Sequence, residues 1–162
     1  MARFVLVSLA IALLLGLAVV GCIRRDEHVG IGGEITWDDW GYRVTKVEEL
    51  DVLADCNLKP SGVFRHVTLE VQNHARRVEY DMSWHHAVLI DAHGEQYQVQ
   101  AEATRCIQSM PPKTIPAGGS CTTELVFDTP RDAELELSIV WGGRVLQTID
   151  SVFSGERTIA LR

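Results

Sequence analysis

The chain has 162 residues, 46% hydrophobic and 23% charged, with 13 Gly and 5 Pro. That composition excludes collagen-like, low-complexity and wholly disordered chains, and the length suits one domain of ordinary size. A net charge of −7 argues against a phosphate-tracking basic surface, so nucleic acid is not an expected partner.

Phe4–Val20 is an uncharged run of seventeen residues preceded by Arg3, the n-region and h-region of a secretory signal. It is slightly short for a membrane span, which takes about 20 apolar residues. The run ends in Val19-Val20-Gly21-Cys22, which resembles the bacterial lipobox. That resemblance implies a signal peptide over 1–21, cleavage before Cys22 and acyl chains on Cys22. Two or three such chains, at roughly 0.8 kcal/mol per buried methylene, hold a domain firmly on a bilayer. An uncleaved anchor, or an ordinary signal peptide with an incidental Cys, remains open. Ile23 rather than Asp after the Cys leans toward the outer membrane where a cell has two. Cleavage removes 21 residues with Arg3 the one charge among them, leaving 141 residues at −8. Such an acidic domain is expected to be held off an anionic lipid surface electrostatically, not laid upon it. Residues 22–33 read as the lipidated Cys and a flexible, charged and then Gly-rich tether, and 34–162 as the folded domain.

From residue 34 the pattern is one of alternation, with no convincing helix. Tyr42–Val47 is a weak strand. Val67, Leu69 and Val71 alternate with Thr68, Glu70 and Gln72, the signature of a half-buried strand. Ala87–Asp91 and Gln96–Gln100 are weaker strands joined by the turn Asp91-Ala92-His93-Gly94. Ala101–Ser120 reads as one long irregular loop, a length that is usually functional or pinned. Cys121, Thr123, Leu125 and Phe127 line one face of the next strand, which ends at Pro130 because Pro cannot donate to a ladder. Leu135, Leu137, Ile139 and Trp141 alternate again. Gly142-Gly143 gives a hairpin turn into a strand over Arg144–Ile149, and Thr158–Leu161 closes the set. Seven to nine short strands with Gly, Pro and Asp turns predict an all-β antiparallel sandwich.

Four motifs occur in a particular order: Asn73 closing its strand, Asp91-x-x-Gly94-x-x-Tyr97, Pro116-Ala117-Gly118-Gly119, and Val126-Phe127-Asp128-Thr129-Pro130. Over about residues 34–141 this order resembles the bacterial telokin-like immunoglobulin-type domains, related to a mycobacterial immunoprotective antigen fold. The resemblance implies an Ig-like β-sandwich in an exported or lipid-anchored protein. It brings no catalytic residues.

Beyond Cys22 there are Cys56, Cys106 and Cys121, so in an exported chain two pair and one is left over. In an Ig-like strand order Cys106 and Cys121 fall near one end of the sandwich and Cys56 at the other. Cys106–Cys121 is therefore the expected bridge, with Cys56–Cys106 the alternative. Among the six His, the adjacent His85 and His86 face opposite sides of a strand. Cys106 and Met110 have no His between them and none follows His93, so a type I copper site does not fit, and zinc spacings are absent. No cofactor is expected. His85, His86 and His93 are the candidates should a metal bind. No nucleophile elbow or carboxylate constellation marks an enzyme.

Trp37-Asp38-Asp39-Trp40 sets two rings beside two carboxylates, a binding surface where the rings are exposed. In the other reading one ring caps the sandwich and the other half-buries beside it. The expectation is a non-catalytic Ig-like binding domain on a bacterial envelope, anchored to the membrane by lipid, meeting a protein or surface polymer through loops at one end. Two alternatives are an inhibitor or adhesin acting through the 101–120 loop, and a His-based metal-binding protein.

Overall fold

A computed structural model describes residues 27–81, 86–108, 114–140 and 157–162. The signal segment, Cys22, His85, Met110, the Gly142-Gly143 turn and the Arg144–Ile149 strand lie outside the described residues. In chain order the strands are β1 (Glu27–Val29), β2 (Glu34–Trp37), β3 (Trp40–Leu50), β4 (Val63–Asn73), β5 (Tyr80–Asp81), β6 (His86–Asp91), β7 (Gln96–Gln98), β8 (Thr114–Ile115), β9 (Ser120–Thr129), β10 (Leu135–Val140) and β11 (Arg157–Ala160). A short helix α1 (Ala101–Ile107) and a 3-10 turn (Ala54–Cys56) interrupt them. Among these residues one sheet has the order β1-β11-β10-β6-β7, a second β2-β3-β4-β9, and β5 pairs with β8.

The two larger sheets enclose a core that follows the period-two pattern. Tyr42, Val44, Val67, Leu69, Val71 and Phe127 come from one sheet, and Leu89, Leu137, Ile139 and Ile159 from the other. Each side chain of this size stabilises by about 1.5–3 kcal/mol when fully buried. The all-β sandwich expected from alternation is thus the fold. In β3 the alternation breaks for a physical reason: the register shifts between Val44 and Lys46. That bulge turns Lys46 to the outer face opposite Thr68 and returns Val47 to the core opposite Val67, where strict alternation would have buried the ammonium.

Three expectations need correction. Glu27–Val29, assigned above to the tether, is edge strand β1. The Gly-rich stretch after it is a tight turn, with the Gly33 N–H donating to the Gly30 carbonyl at 2.9 Å and Gly32 at φ 86°. Ala101–Ser120 is not one irregular loop either, because α1, β8 and the Pro116 turn occupy most of it. The third concerns the disulfide. The bond is Cys56–Cys106, and Cys121 is a free thiol. After Val99 bridges Phe127 near the end of β9, α1 runs back along the outside of the sheet. Cys106 thereby joins a small outer cluster with Leu53, Phe64, Ala103 and Val126. Cys121 instead packs against the core between the sheets, on the opposite face of β9, and burial pushes its thiol pKa up.

The helix has a second task. β9 is the edge of its sheet, and a bare edge invites pairing with other chains. Here Thr104 Oγ1 accepts from the Val126 N–H at 3.0 Å and Gln108 Oε1 from the Glu124 N–H at 2.8 Å, while the Gln100 N–H donates to the Val126 carbonyl at 2.7 Å.

Candidate functional site

The described chain presents two loop ends and one polar sheet face as candidate surfaces. At the first end lie the Trp37–Trp40 turn, the His74–Glu79 loop and the Pro116–Gly119 turn, tied together by backbone bonds from His74 to Asp39 and from Asn73 to Gly119. Trp40 is 4% exposed and belongs to the core, stacked near Tyr42. Trp37 is half-buried with the Arg157 guanidinium 5.0 Å above its ring. Of the two readings of Trp37 and Trp40, the exposed pair is therefore set aside and the other holds: one ring caps the core, and the half-buried one is covered by a cation from β11. Burial also drives the Tyr42 phenol pKa far up.

Asn73, fully buried at the end of β4, organises the neighbouring loop. Its Nδ2 donates to the carbonyls of Val78, Ile115 and Pro116 at 2.8, 3.1 and 3.2 Å, and its Oδ1 accepts from the Ala75 N–H at 2.9 Å. The loop so held exposes Arg76, Arg77 and Val78, the last 51% exposed.

At the second end meet the β3–β4 connection, the β6–β7 turn and the β9–β10 turn. Each is braced. Cys56–Cys106 holds the first, and the Asp128 carboxylate accepts the N–H groups of Ser61 and Gly62 at 2.7 and 3.1 Å. Gly62 is obligatory there, since a Cβ would lie 2.2 Å from the Thr129 carbonyl oxygen. Arg131 pairs with Asp51 and with Glu49. In the β6–β7 turn the Asp91 carboxylate accepts from the N–H groups of His93 and Glu95 at 2.8 and 3.0 Å and from the Tyr97 hydroxyl at 3.1 Å, with Gly94 at φ 82°. Between the last two turns lies a shallow groove of about 460 Å³, lined by Asp91, Ala92, His93, Pro130, Asp132, Ala133 and Glu134.

Burial works to raise the Asp91 pKa, but the N–H groups of Glu95 and His93 and the Tyr97 hydroxyl outweigh it and hold the carboxyl below its ordinary 3.8. A depressed carboxyl stabilises the fold above its unfolded value, and the contribution is lost as pH falls through the depressed value. An NMR titration should find Asp91 below 3.8 and the Tyr97 phenol above 10.0, raised by burial and then by the Asp91 bond. Asp91→Asn should flatten the acid limb of the stability profile; an unchanged limb would remove Asp91 from it.

The outer face of the β2-β3-β4-β9 sheet carries two cation–carboxylate rows. Arg43 bridges Glu34 and Glu70, both at 3.0 Å. His66 lies 2.7 Å from Glu124 and 3.4 Å from Glu48. Hydrogen bonding from Lys46, with His66 adding to it, outweighs burial and holds the Glu48 carboxyl below its usual range. The cross-strand register Glu48↔His66↔Val126 puts His66 mid-sheet, a neighbourhood visible only once pairing is known.

Of the metal candidates, His85 is outside the described residues, His86 begins β6, and His93 sits in the Asp91 turn. Among the described residues no three His, Cys, Asp or Glu gather as a metal set, and no helix is long and apolar enough to cross a membrane.

Three solved structures share the fold. The secreted protein MPT63 of Mycobacterium tuberculosis is 16% identical, with 85% of this chain and 98% of that one covered at a TM-score of 0.58. A conserved hypothetical protein of Bacillus anthracis is 16% identical over 68% of this chain and 89% of its own, at 0.56. The yjhA protein of Bacillus subtilis is 12% identical over 83% and 99%, at 0.54. No curated protein matches the chain. The fold expected from the mycobacterial antigen resemblance is thus confirmed, and residues 29–148 match the family described as a domain of unknown function, DUF4352: the chain belongs to that family.

Proposed function

We propose that this protein is an exported, lipid-anchored binding module of a bacterial envelope, held on the membrane through acylated Cys22. It meets a protein or surface polymer through the second loop end. The chief support is that both turns lining the Asp91–Glu134 groove are held in advance, one by the Asp91 carboxylate and the other by the pairs of Arg131 with Asp51 and Glu49, while the neighbouring β3–β4 connection is held by the Cys56–Cys106 bridge and by Asp128. Loops ordered before contact lose little conformational entropy on binding, and rigid scaffolds commonly present function on loops. Export and anchoring are supported by the charged, apolar and Val-Val-Gly-Cys order of residues 3–22. Family motif residues Asn73, Asp91 and Asp128 are all engaged in holding turns, which favours binding over chemistry. The inhibitor or adhesin reading through 101–120 is less well supported, because Ala101–Ile107 is a helix bonded to β9 and to Cys56.

Cys22→Ser should move the chain from the membrane fraction into the soluble one, with loss of acyl mass from the intact protein. A photo-crosslinking residue at His93 should give a discrete adduct in intact cells where one at Thr36, on the opposite side, does not. Retention of the Cys22→Ser chain on the membrane overturns the lipid anchor, and equal adducts at both positions overturn the assignment of the binding end.

A further inference from the structure

The fold fixes the direction from which the chain enters the sandwich. The turn at Gly30–Gly33 reverses the chain between β1 and β2, and β2 runs toward the Trp37–Trp40 turn. His28 on β1, bonded through Nδ1 to Thr158 Oγ1 at 2.7 Å, is therefore entered from the Trp37 end. Between Cys22 and Glu27 there are four residues, Ile23 to Asp26. Fully extended they reach about 14 Å, little more than one Debye length of about 10 Å at 0.1 M salt.

Given the lipid anchor of the preceding reading, we infer that the Trp37 end lies against the bilayer, with Arg76 and Arg77 on phospholipid phosphates and Val78 in the interfacial layer. Three independent observations point there. Among the described residues Arg76 and Arg77 have no ion pair or hydrogen bond from their guanidinium groups, and both are exposed. Val78 beside them is the most exposed of the large apolar side chains described, at 51%. The loop is not loose: Asn73 grips the Val78 carbonyl and the Ala75 N–H, so the tip is presented in one shape. Guanidinium groups bind phosphate bidentately, and a basic tip with an apolar residue suits the headgroup layer. The processed chain's net charge of −8 opposes membrane contact only on average. Asp38 and Asp39 in the adjoining turn and the exposed Glu79 beside Val78 work locally against it, so the two arginines must decide the orientation by direct phosphate contact. The groove at the second end is then turned away from the lipid, toward partners.

The full lipidated chain, reconstituted in vesicles of phosphatidylcholine and phosphatidylglycerol, tests this. A fluorescent amino acid is placed at Val78 or at Val52, an apolar residue of the β3–β4 connection that is 43% exposed, and brominated lipids serve as quencher. Quenching at position 78 should exceed that at 52 several-fold. Arg76→Glu with Arg77→Glu should bring the two together while the chain still floats with the vesicles. Flotation with position 78 unquenched, or with both positions quenched alike, overturns the orientation while leaving the anchor standing. A chain that carries no acyl mass and does not float overturns the anchor, and this inference with it.

Discussion

Replacing Cys56 and Cys106 by Ser should lower the unfolding free energy by about 4 kcal/mol, the chain-entropy value for a loop closed across 50 residues. Against a typical total of about 5–15 kcal/mol that leaves a marginal domain. The effect should also be local. Helix α1 has seven residues and no side-chain cap at Gln100, far below the roughly 12–15 residues an isolated helix needs in water. It is held by Cys106, by its bonds to β9 and by the small cluster around Ala103. Without the bridge the amides of Thr104 and Gln108 should exchange ahead of those of β4. The Val126 and Glu124 edge of β9 should then become available for strand pairing, seen as concentration-dependent association. Denaturant unfolding, hydrogen exchange and sedimentation read the three consequences. A loss under about 1 kcal/mol would mean that packing alone docks the helix. The free thiol gives an independent check: in the unfolded, unreduced domain Cys121 should be alkylated while Cys56 and Cys106 are protected.

The same helix marks the limit of what the sequence disclosed. Strands β4, β9 and β10 were plain because each buries one face, so Val67-Leu69-Val71 and Leu135-Leu137-Ile139 repeat every second residue. Ala101–Ile107 buries only Ala103 and has too few residues for a helical period to show. With it unseen, Cys106 reads as a loop residue and Cys121 as its first partner, with Cys56 only the alternative, since nothing in the spacing tells that Cys106 returns along the outer face of the sheet. β1 and β2 are short, and Gly30, Gly32 and Gly33 between them signal flexibility as readily as a tight turn. Trp37 and Trp40 could be read either way until pairing brought Arg157 from β11 over one ring. The ordered motifs were informative about the fold for the reason that they are poor guides to a site. Asn73, Asp91 and Asp128 spend their hydrogen bonds on turns.

Asn73→Ala should cost about 2–4 kcal/mol, because it strips partners from groups that have no water to turn to. Ala75 is 5% exposed and Ile115 wholly buried, so the truncation takes the acceptor from the Ala75 N–H and a donor from the Ile115 carbonyl. Asn73→Asp separates the hydrogen-bond argument from mere volume. It keeps the shape and the acceptor for Ala75 but turns a carboxylate oxygen toward three carbonyls. Near neutrality it should therefore be worse than Ala, despite leaving no cavity. A buried carboxyl with a single N–H donor, its other oxygen facing carbonyls, has a raised pKa in the folded state. The folded state then binds a proton that the unfolded one releases, and stability should return as pH falls. If Asp proves as mild as Ala, with no recovery in acid, the three carbonyls are not what Asn73 serves. Both variants also release the Val78 carbonyl, so the Arg76–Val78 tip should lose its fixed shape even at temperatures where the sandwich survives. Amide exchange confined to Ala75–Glu79 would show it. Asn73, one of the ordered motif residues, would thereby be tied to the loop tip proposed to face the membrane.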